Sequence, residues 1–380
     1  MEENHYIKKY INYHDKYVKK YGDNTVVLMQ TGSHFNIFSI MNDEENIGPD
    51  IYNICKNVLN NALQVTKQNK NIKEISYKNC LMAGFPIYSV QKYETILLNH
   101  NFTVVVVEQI TPSPNPERGV TRILSPGTTI DNPIQDTNFL MSIYIEKNEY
   151  MNKDVFIVGL TSIDLSTGKN YMHYIMSKLD DENYWNDEIS RYIHFYNPSE
   201  IIFHLKNMEL TENEIIQNWD ISHNSIQINH YDDKNYLKTT FQNDFLQKIF
   251  QLNTMMTPIE HFDLEMKTEL VISYIYLLQY INDHRADTLQ NIERPELIHD
   301  NECLCLTSNS IRQLNVINNY SYFKGKNESL LSVTNGCVTP MGRRLFKERL
   351  LYPSINPEII NMRYDLIDLF RKESFYEKII

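Results

Sequence analysis

The sequence predicts an α/β N-terminal half made of two successive units, followed by a mostly α segment. Short apolar runs such as TVVLMQ at 25–30 and FTVVVVEQI at 102–110 alternate with helical periodicities through the first two hundred residues. From 264 onward the apolar residues recur at helical spacing instead. A chain of 380 residues has room for three domains of ordinary size, each with its own core.

Taken in order, TVVLMQ is a buried strand and the segment from Gly32 through Phe38 its partner. Pro49 and Asp50 open a helix whose Ile51, Cys55, Val58, Leu59 and Leu63 fall on one face. A second helix around 89–100 carries Val90, Tyr93, Ile96 and Leu97, and the unbroken apolar run that follows is that of a strand covered on both faces. TPSPNPERG at 111–119 is an exposed loop, and SPGTTIDNP at 125–133 is a second break. Strands FLMSIYIE and VFIVGLTSIDLSTG, a helical stretch and strand EIIFHL make up the second unit. LVISYIYLLQYI at 270–281 opens the helical segment, which Pro295 breaks and which resumes near 308. The expected domains are 1–124, 134–250 and 258–380.

Composition narrows the function. With 42% hydrophobic and 22% charged residues the chain is of globular type, and no apolar run approaches the roughly 18 to 20 residues that cross a bilayer as a helix. The N-terminus lacks both an apolar h-region and a small-residue cleavage site, so an intracellular, non-secreted location is expected. Five scattered cysteines agree with a reducing compartment. Cys303 and Cys305 alternate with Leu304 and Leu306 at a period of two, which predicts buried strand thiols rather than metal ligands. The formal net charge is −12, but Lys plus Arg number 13 against 12 Asp plus Glu in residues 1–130, leaving 23 against 36 beyond. A first domain that touches phosphates while the rest acts as scaffold fits this balance, and so does a chain that never touches nucleic acid.

Several short segments, collinear and covering nearly the whole chain, carry a resemblance. They are Met82-Ala83-Gly84-Phe85-Pro86, Glu108-Gln109, Arg122 with Pro126-Gly127-Thr128, Asp164-Leu165-Ser166-Thr167-Gly168, Asn197-Pro198-Ser199-Glu200, Leu306 to Leu314, and Thr339-Pro340-Met341-Gly342-Arg343-Arg344. Together they resemble the N-terminal part of the MutS family of DNA mismatch-repair proteins. Asn- and Lys-rich composition and divergent motifs are similar to those of the branch found in large DNA viruses. The resemblance implies a small α/β mismatch-binding domain, an RNase H-like connector and the start of a helical lever domain. It also implies a homo- or heterodimer on double-stranded DNA, especially mismatched DNA. ATP and Mg are implied only for an ATPase domain beyond residue 380. The chain is then a fragment, or the product of a gene that has lost its C-terminal half, with no catalytic site of its own. No GxxxxGK[ST] phosphate loop occurs, and Ser166-Thr167-Gly168-Lys169 is a turn.

In that family a Phe-x-Glu motif follows a glycine, the ring wedging into the minor groove and the carboxylate bonding the mispaired base. Apolar wedges of this kind bend DNA, and a mismatch makes bending cheaper. The matching stretch here is Gly32-Ser33-His34-Phe35-Asn36-Ile37-Phe38, which puts His34 at the wedge position and Asn36 at the carboxylate position. A slip of one residue would offer Phe35 as the wedge but would send every side chain to the other face, so Phe35 is expected to pack inward. Pro86 and Lys92 are further candidates, against a groove and a phosphate. The DNA-binding candidates are therefore His34, Phe35, Asn36, Pro86 and Lys92, with plain surface roles for His34 and Asn36 as the alternative. Arg343, Arg344, Lys347 and Arg349 form a basic cluster facing either DNA or neighbouring acids.

Two other classes compete. A nuclease needs several carboxylates converging on metal ions, and Asp164 is the one well-placed strand acid. A scaffold that binds a repair partner without DNA would suit the acidic balance.

Overall fold

The structure, a computed structural model, describes residues 3–42, 45–111, 116–129, 138–178, 180–221, 225–229, 235–298, 304, 306, 308–317 and 327–372. Cys303 and Cys305, and the prolines at 112, 114 and 133, lie outside the described residues.

The first unit opens with helix α1 (Glu3–Tyr21), which the sequence reading did not assign. Ile7, Tyr10, Ile11, Tyr17 and Tyr21 are buried and recur at helical spacing, and Tyr10 donates to the Val27 carbonyl at 3.1 Å. Strands β1 (Thr25–Thr31), β2 (His34–Met41), β3 (Asn46–Ile47), β4 (Thr66–Lys67), β5 (Leu81–Pro86), β6 (Thr103–Gln109) and β7 (Arg118–Leu124) build one mixed sheet. The order is β4-β5-β2-β1-β6-β7, with β3 paired to β2 and β1 parallel to β6. On β6, Val105 and Val107 meet α1's side of the sheet. Val104 and Val106 meet the other side, covered by α2 (Ile51–Asn53), the π-helical turn Ile54–Val58 and α3 (Val90–Asn99). The run 102–110 is thus covered twice, as alternation on a buried strand requires. Arg118 and Gly119, expected in a loop, already belong to β7, which returns antiparallel to β6.

The second unit is a six-stranded sheet in the order β12-β11-β8-β9-β10-β13. Its strands are β8 (Phe139–Tyr150), β9 (Lys153–Asp164), β10 (Asn170–Met176), β11 (Glu200–Lys206), β12 (Ser225–Asn229) and β13 (Glu296–Leu297). Helices α4 (Tyr184–Tyr196) and α5 (Glu212–Trp219) cover one face, burying Met141, Ile143, Ile193, Phe203 and Trp219. The turn between β9 and β10 is tied by Asp164, which accepts from the Ser166 amide and hydroxyl at 3.0 and 2.6 Å, and Gly168 takes φ +78°.

The other face is covered by α8 (Thr268–Arg285), which follows α6 (Thr239–Phe250) and the short α7 (Pro258–His261). Along α8 the residues Leu270, Val271, Ile272, Ser273, Tyr274, Tyr276 and Leu277 are buried, so every side of the helix is covered. Its N-terminus crosses directly over Gly159 of β9, where a Cβ would stand 2.3 Å from the Glu269 carbonyl oxygen. Ser273 then donates to the Ser142 carbonyl at 3.0 Å. α8 and β13, which lie within the expected third unit 258–380, pack with the second sheet, and α8 also touches the first unit through Tyr280 against Tyr21. Helices α9 (Ser308–Gln313), α10 (Leu330–Thr334), α11 (Pro340–Leu351) and α12 (Pro357–Lys372) follow. Ile311 of α9, Leu351 of α11 and the inter-helix residues Val316 and Ile317 form a small core on which Leu331 of α10 packs.

Candidate nucleic-acid interface

Strands β1, β5 and β6 of the first sheet all point toward the same edge, since β5 and β1 are each antiparallel to β2 and β1 is parallel to β6. That C-terminal edge of an α/β sheet is where binding residues commonly gather, because loops leave the rigid strands there. The β1–β2 turn is two residues long, Gly32-Ser33, and Gly32 has φ +61°, a value glycine adopts without strain. His34 follows it, solvent-exposed, with Nδ1 3.2 Å from the Ser33 hydroxyl. It pairs with Pro86 on β5, and the Ile87 amide donates to the Ser33 carbonyl at 3.1 Å, locking the two turns together.

The expected candidates separate here by the pleat of β2. Phe35 is 1% exposed and packs beside Phe85, whose ring stacks on Tyr93 at 4.2 Å. The pleat turns Phe35, a DNA-contact candidate also expected to pack inward, into the core. Asn36 lies on the same face as His34 but is only 4% exposed. Its amide nitrogen donates to the Thr31 hydroxyl, and its oxygen occupies the space a Cβ would take on Gly84, 1.9 Å from that position. Asn36 thus braces the hairpin from within, and a ligand reaching it must first displace these contacts. Pro86 is half-buried at the rim, and Lys92 is exposed in the first turn of α3, 5.8 Å from the Tyr93 ring centre.

Gly84→Ala is accordingly expected to drive the Asn36 amide from its place and break its bond to Thr31. The expected cost is about 2 kcal/mol, the scale of overpacking plus one lost hydrogen bond. A urea midpoint equal to that of the parent chain would contradict this.

Sequence reasoning missed two features of this edge. Gln30, Gln109 and Arg118 knit the ends of β1, β6 and β7: the Gln109 amide donates to Gln30 Oε1 at 3.0 Å, and Arg118 Nε donates to the Gln30 carbonyl at 3.0 Å. Tyr88, two residues beyond Pro86, is 89% exposed. Only the Glu108-Gln109 segment had been singled out by pattern. In the basic cluster, Arg343 donates to the Cys337 carbonyl at 3.1 Å and Arg344 lies 3.9 Å from Asp164, so both are engaged within the protein. A cleft of about 600 Å³ between the C-terminal end of α1 and β12, lined by Lys16, Lys19 and Glu212, lies at the opposite end of β1 from His34. Among the described residues no three His, Cys, Asp or Glu side chains converge as a metal site would require.

Comparison with known proteins bears on this edge. Residues 54–133 match the family model described as MutS domain I, and residues 309–380 match MutS domain III. A mutS homolog of Acanthamoeba polyphaga mimivirus, named as a DNA mismatch repair protein, is 30% identical over 97% of this chain and 35% of its own length. The chain belongs to the MutS family. The DNA mismatch repair protein MutS of Caldanaerobacter subterraneus subsp. tengcongensis is 31% identical over 76% of this chain and 31% of its own. The mitochondrial DNA mismatch repair protein mutS homolog of Sarcophyton glaucum is 23% identical over 96% and 40%. The chain thus spans about a third of the length of these MutS-family relatives. The domain III match begins at 309, beyond α8 and β13, in keeping with the packing boundary seen in the fold.

Proposed function

We propose that this chain binds double-stranded DNA through the C-terminal edge of its first sheet, with a preference for mismatched or otherwise distorted duplex. The observation that carries this is the solvent-facing His34, fixed against Pro86 at that edge in a chain of the MutS family. Residues 3–124 act as the mismatch-binding domain, the second sheet with α8 as an RNase H-like connector, and 308–372 as the start of a lever domain. Half-exposed apolar side chains on α12, such as Met362, Ile367 and Leu369, support further packing partners for that third unit. A dimer with a MutS-family subunit, an intracellular location and an ATP- and Mg-dependent domain outside these residues complete the reading, with no catalysis here.

At the wedge position an imidazole can stack on a base with less apolar area than phenyl. The neutral Asn36, held inward, supplies no carboxylate charge against phosphates. Discrimination is therefore weaker than a Phe-x-Glu pair would give, because repulsion of undamaged duplex is missing.

A second reading has its own support. With Asn36 buried and no carboxylate at its position, the chain grips the backbone beside a partner that reads the lesion. Competition binding of homoduplex, mismatched, one-base-loop and four-way-junction DNA at two salt concentrations distinguishes them. Preference for mismatch or loop supports the first reading, equal salt-sensitive binding the second, and no binding at all sinks both. His34→Phe is expected to raise mismatch preference roughly tenfold through added stacking; an unchanged ratio would remove His34 from the contact.

A further inference from the structure

We propose that Tyr88 is a second stacking residue of this edge, laying its ring on a nucleobase that a distorted duplex leaves unpaired beside His34. The inference rests on the DNA-binding reading above. Among the described residues Tyr88, at 89% exposure, exceeds the other exposed tyrosines Tyr52, Tyr150 and Tyr364, at 50, 54 and 63%. A large ring left so open is surface available to a ligand.

The backbone beneath it is held at several points. Pro86 fixes its own φ at −64°, the Ile87 amide is bonded to Ser33, and the Ser89 hydroxyl donates to the Pro86 carbonyl at 2.8 Å. Residues 87–89 form one tight turn that leads directly into α3. Tyr88 is therefore presented from a fixed frame, and binding has to order only the torsions of its side chain. The frame is the one that fixes His34, since Ser33 and Pro86 flank that residue along β2 and across to β5. Ile87, 39% exposed, adds apolar area next to the ring, as insertion at a base step requires. Lys92, exposed one turn along α3, is placed to meet a phosphate once the ring has engaged.

The chemistry selects a flat, partly unstacked base rather than a groove edge. Stacking tolerates any base, so the class of ligand is a looped-out or weakly paired nucleotide and not a particular sequence. Tyr88 then supplies the ring area that His34 lacks relative to a phenyl wedge.

The test uses the full chain with duplex DNA carrying a one-base loop of 2-aminopurine, beside matched homoduplex. Tyr88→Ala is expected to lower the loop-over-homoduplex preference by roughly tenfold and abolish the fluorescence change on binding. Tyr88→Phe is expected to keep both, and the thermal midpoint of either variant is expected to equal the parent's because the side chain is 89% exposed. If the parent chain binds and Tyr88→Ala keeps both preference and fluorescence change, the role of Tyr88 is overturned and the DNA reading stands. If the parent chain binds none of these DNAs, both are overturned.

Discussion

Stability is expected to fall steeply as pH drops from 6.5 toward 4. His173, His204 and His284 are all buried, and burial disfavours the imidazolium. It pushes His204 down to about 3 and His284 to about 4, and it holds His173 well below 6.5 with help from nearby Arg191. Among the described residues neither ring nitrogen of His204 has a hydrogen-bond partner, and its ring stacks on Tyr276 at 4.0 Å. His284 faces both Lys20 and Asp283, whose influences oppose each other. A depressed folded pKa means that below 6.5 the unfolded chain takes up protons that the folded chain refuses. The stabilisation is complete above the unfolded value and drains away as pH falls. Each such proton is worth about 1.4 kcal/mol per pH unit, so three together give a slope on the order of 4 kcal/mol per pH unit. Against a typical stability of about 5 to 15 kcal/mol, that is enough to unfold the chain well above pH 4. Urea midpoints between pH 8 and 5 would measure the slope. His204→Phe, which keeps the stacked ring and removes the proton site, is expected to reduce it by about a third. An unchanged slope would mean that His204 protonates inside the fold.

These histidines also mark what a linear reading sees and does not see. Strands β1, β6, β8, β9 and β11 were legible because each is an apolar run whose burial is a property of the run itself. Helix α1 was not, since its stripe has only Ile7 and Ile11 beside tyrosines and is interleaved with Lys8, Lys9, Lys16, Lys19 and Lys20, and tyrosine does not declare whether it is core or surface. Only Ile123 of β7 is buried, so that strand has no apolar run to find. The helical character of α8 was plain, but an all-round apolar helix does not say which sheet it will cover. Its allegiance to the second sheet depends on Gly159 lacking a Cβ, which is a fact about contact across 110 residues of chain.

At the candidate edge the same division holds. His34 and Pro86 could be placed by spacing from Gly32 and along Met82–Pro86. The inward packing of Asn36 could not, because it follows from the missing Cβ of Gly84 on a strand forty-eight residues away. Nor could Tyr88 be told from the 25 other tyrosines of a chain that contains 26. Its exposure is set by the turn that Pro86 and Ser33 impose.

The largest loss from a single substitution is expected at Glu200. Its carboxylate is fully buried and gathers four donors: the Ser125 hydroxyl at 2.6 Å, the Gly127 amide at 3.1 Å, Gln227 Nε2 at 2.8 Å and the Tyr280 hydroxyl at 2.7 Å. These come from the turn that leaves the first unit, from β12 and from α8, so one side chain ties three elements that are distant in sequence. Burial pushes its pKa up and the four donors pull it part of the way back. With a folded pKa above the unfolded one, its titration favours the fold on the acid side and loses that benefit as pH rises through the folded value. It therefore offsets at most one of the three histidine protons. Glu200→Ala would leave four buried donors without an acceptor and a cavity between them, a cost of about 3 to 5 kcal/mol. Glu200→Gln keeps the shape and one acceptor oxygen, and its amide nitrogen replaces an oxygen that now receives two donors, so an intermediate loss is expected. Amide exchange gives the local readout: Gly127 is expected to lose protection in Glu200→Ala beyond what the lower global stability explains. A loss of less than about 1 kcal/mol, with Gly127 still protected, would show that the turn is held by the Ser125–Thr128 capping contacts alone and that Glu200 is not the tie between the two units.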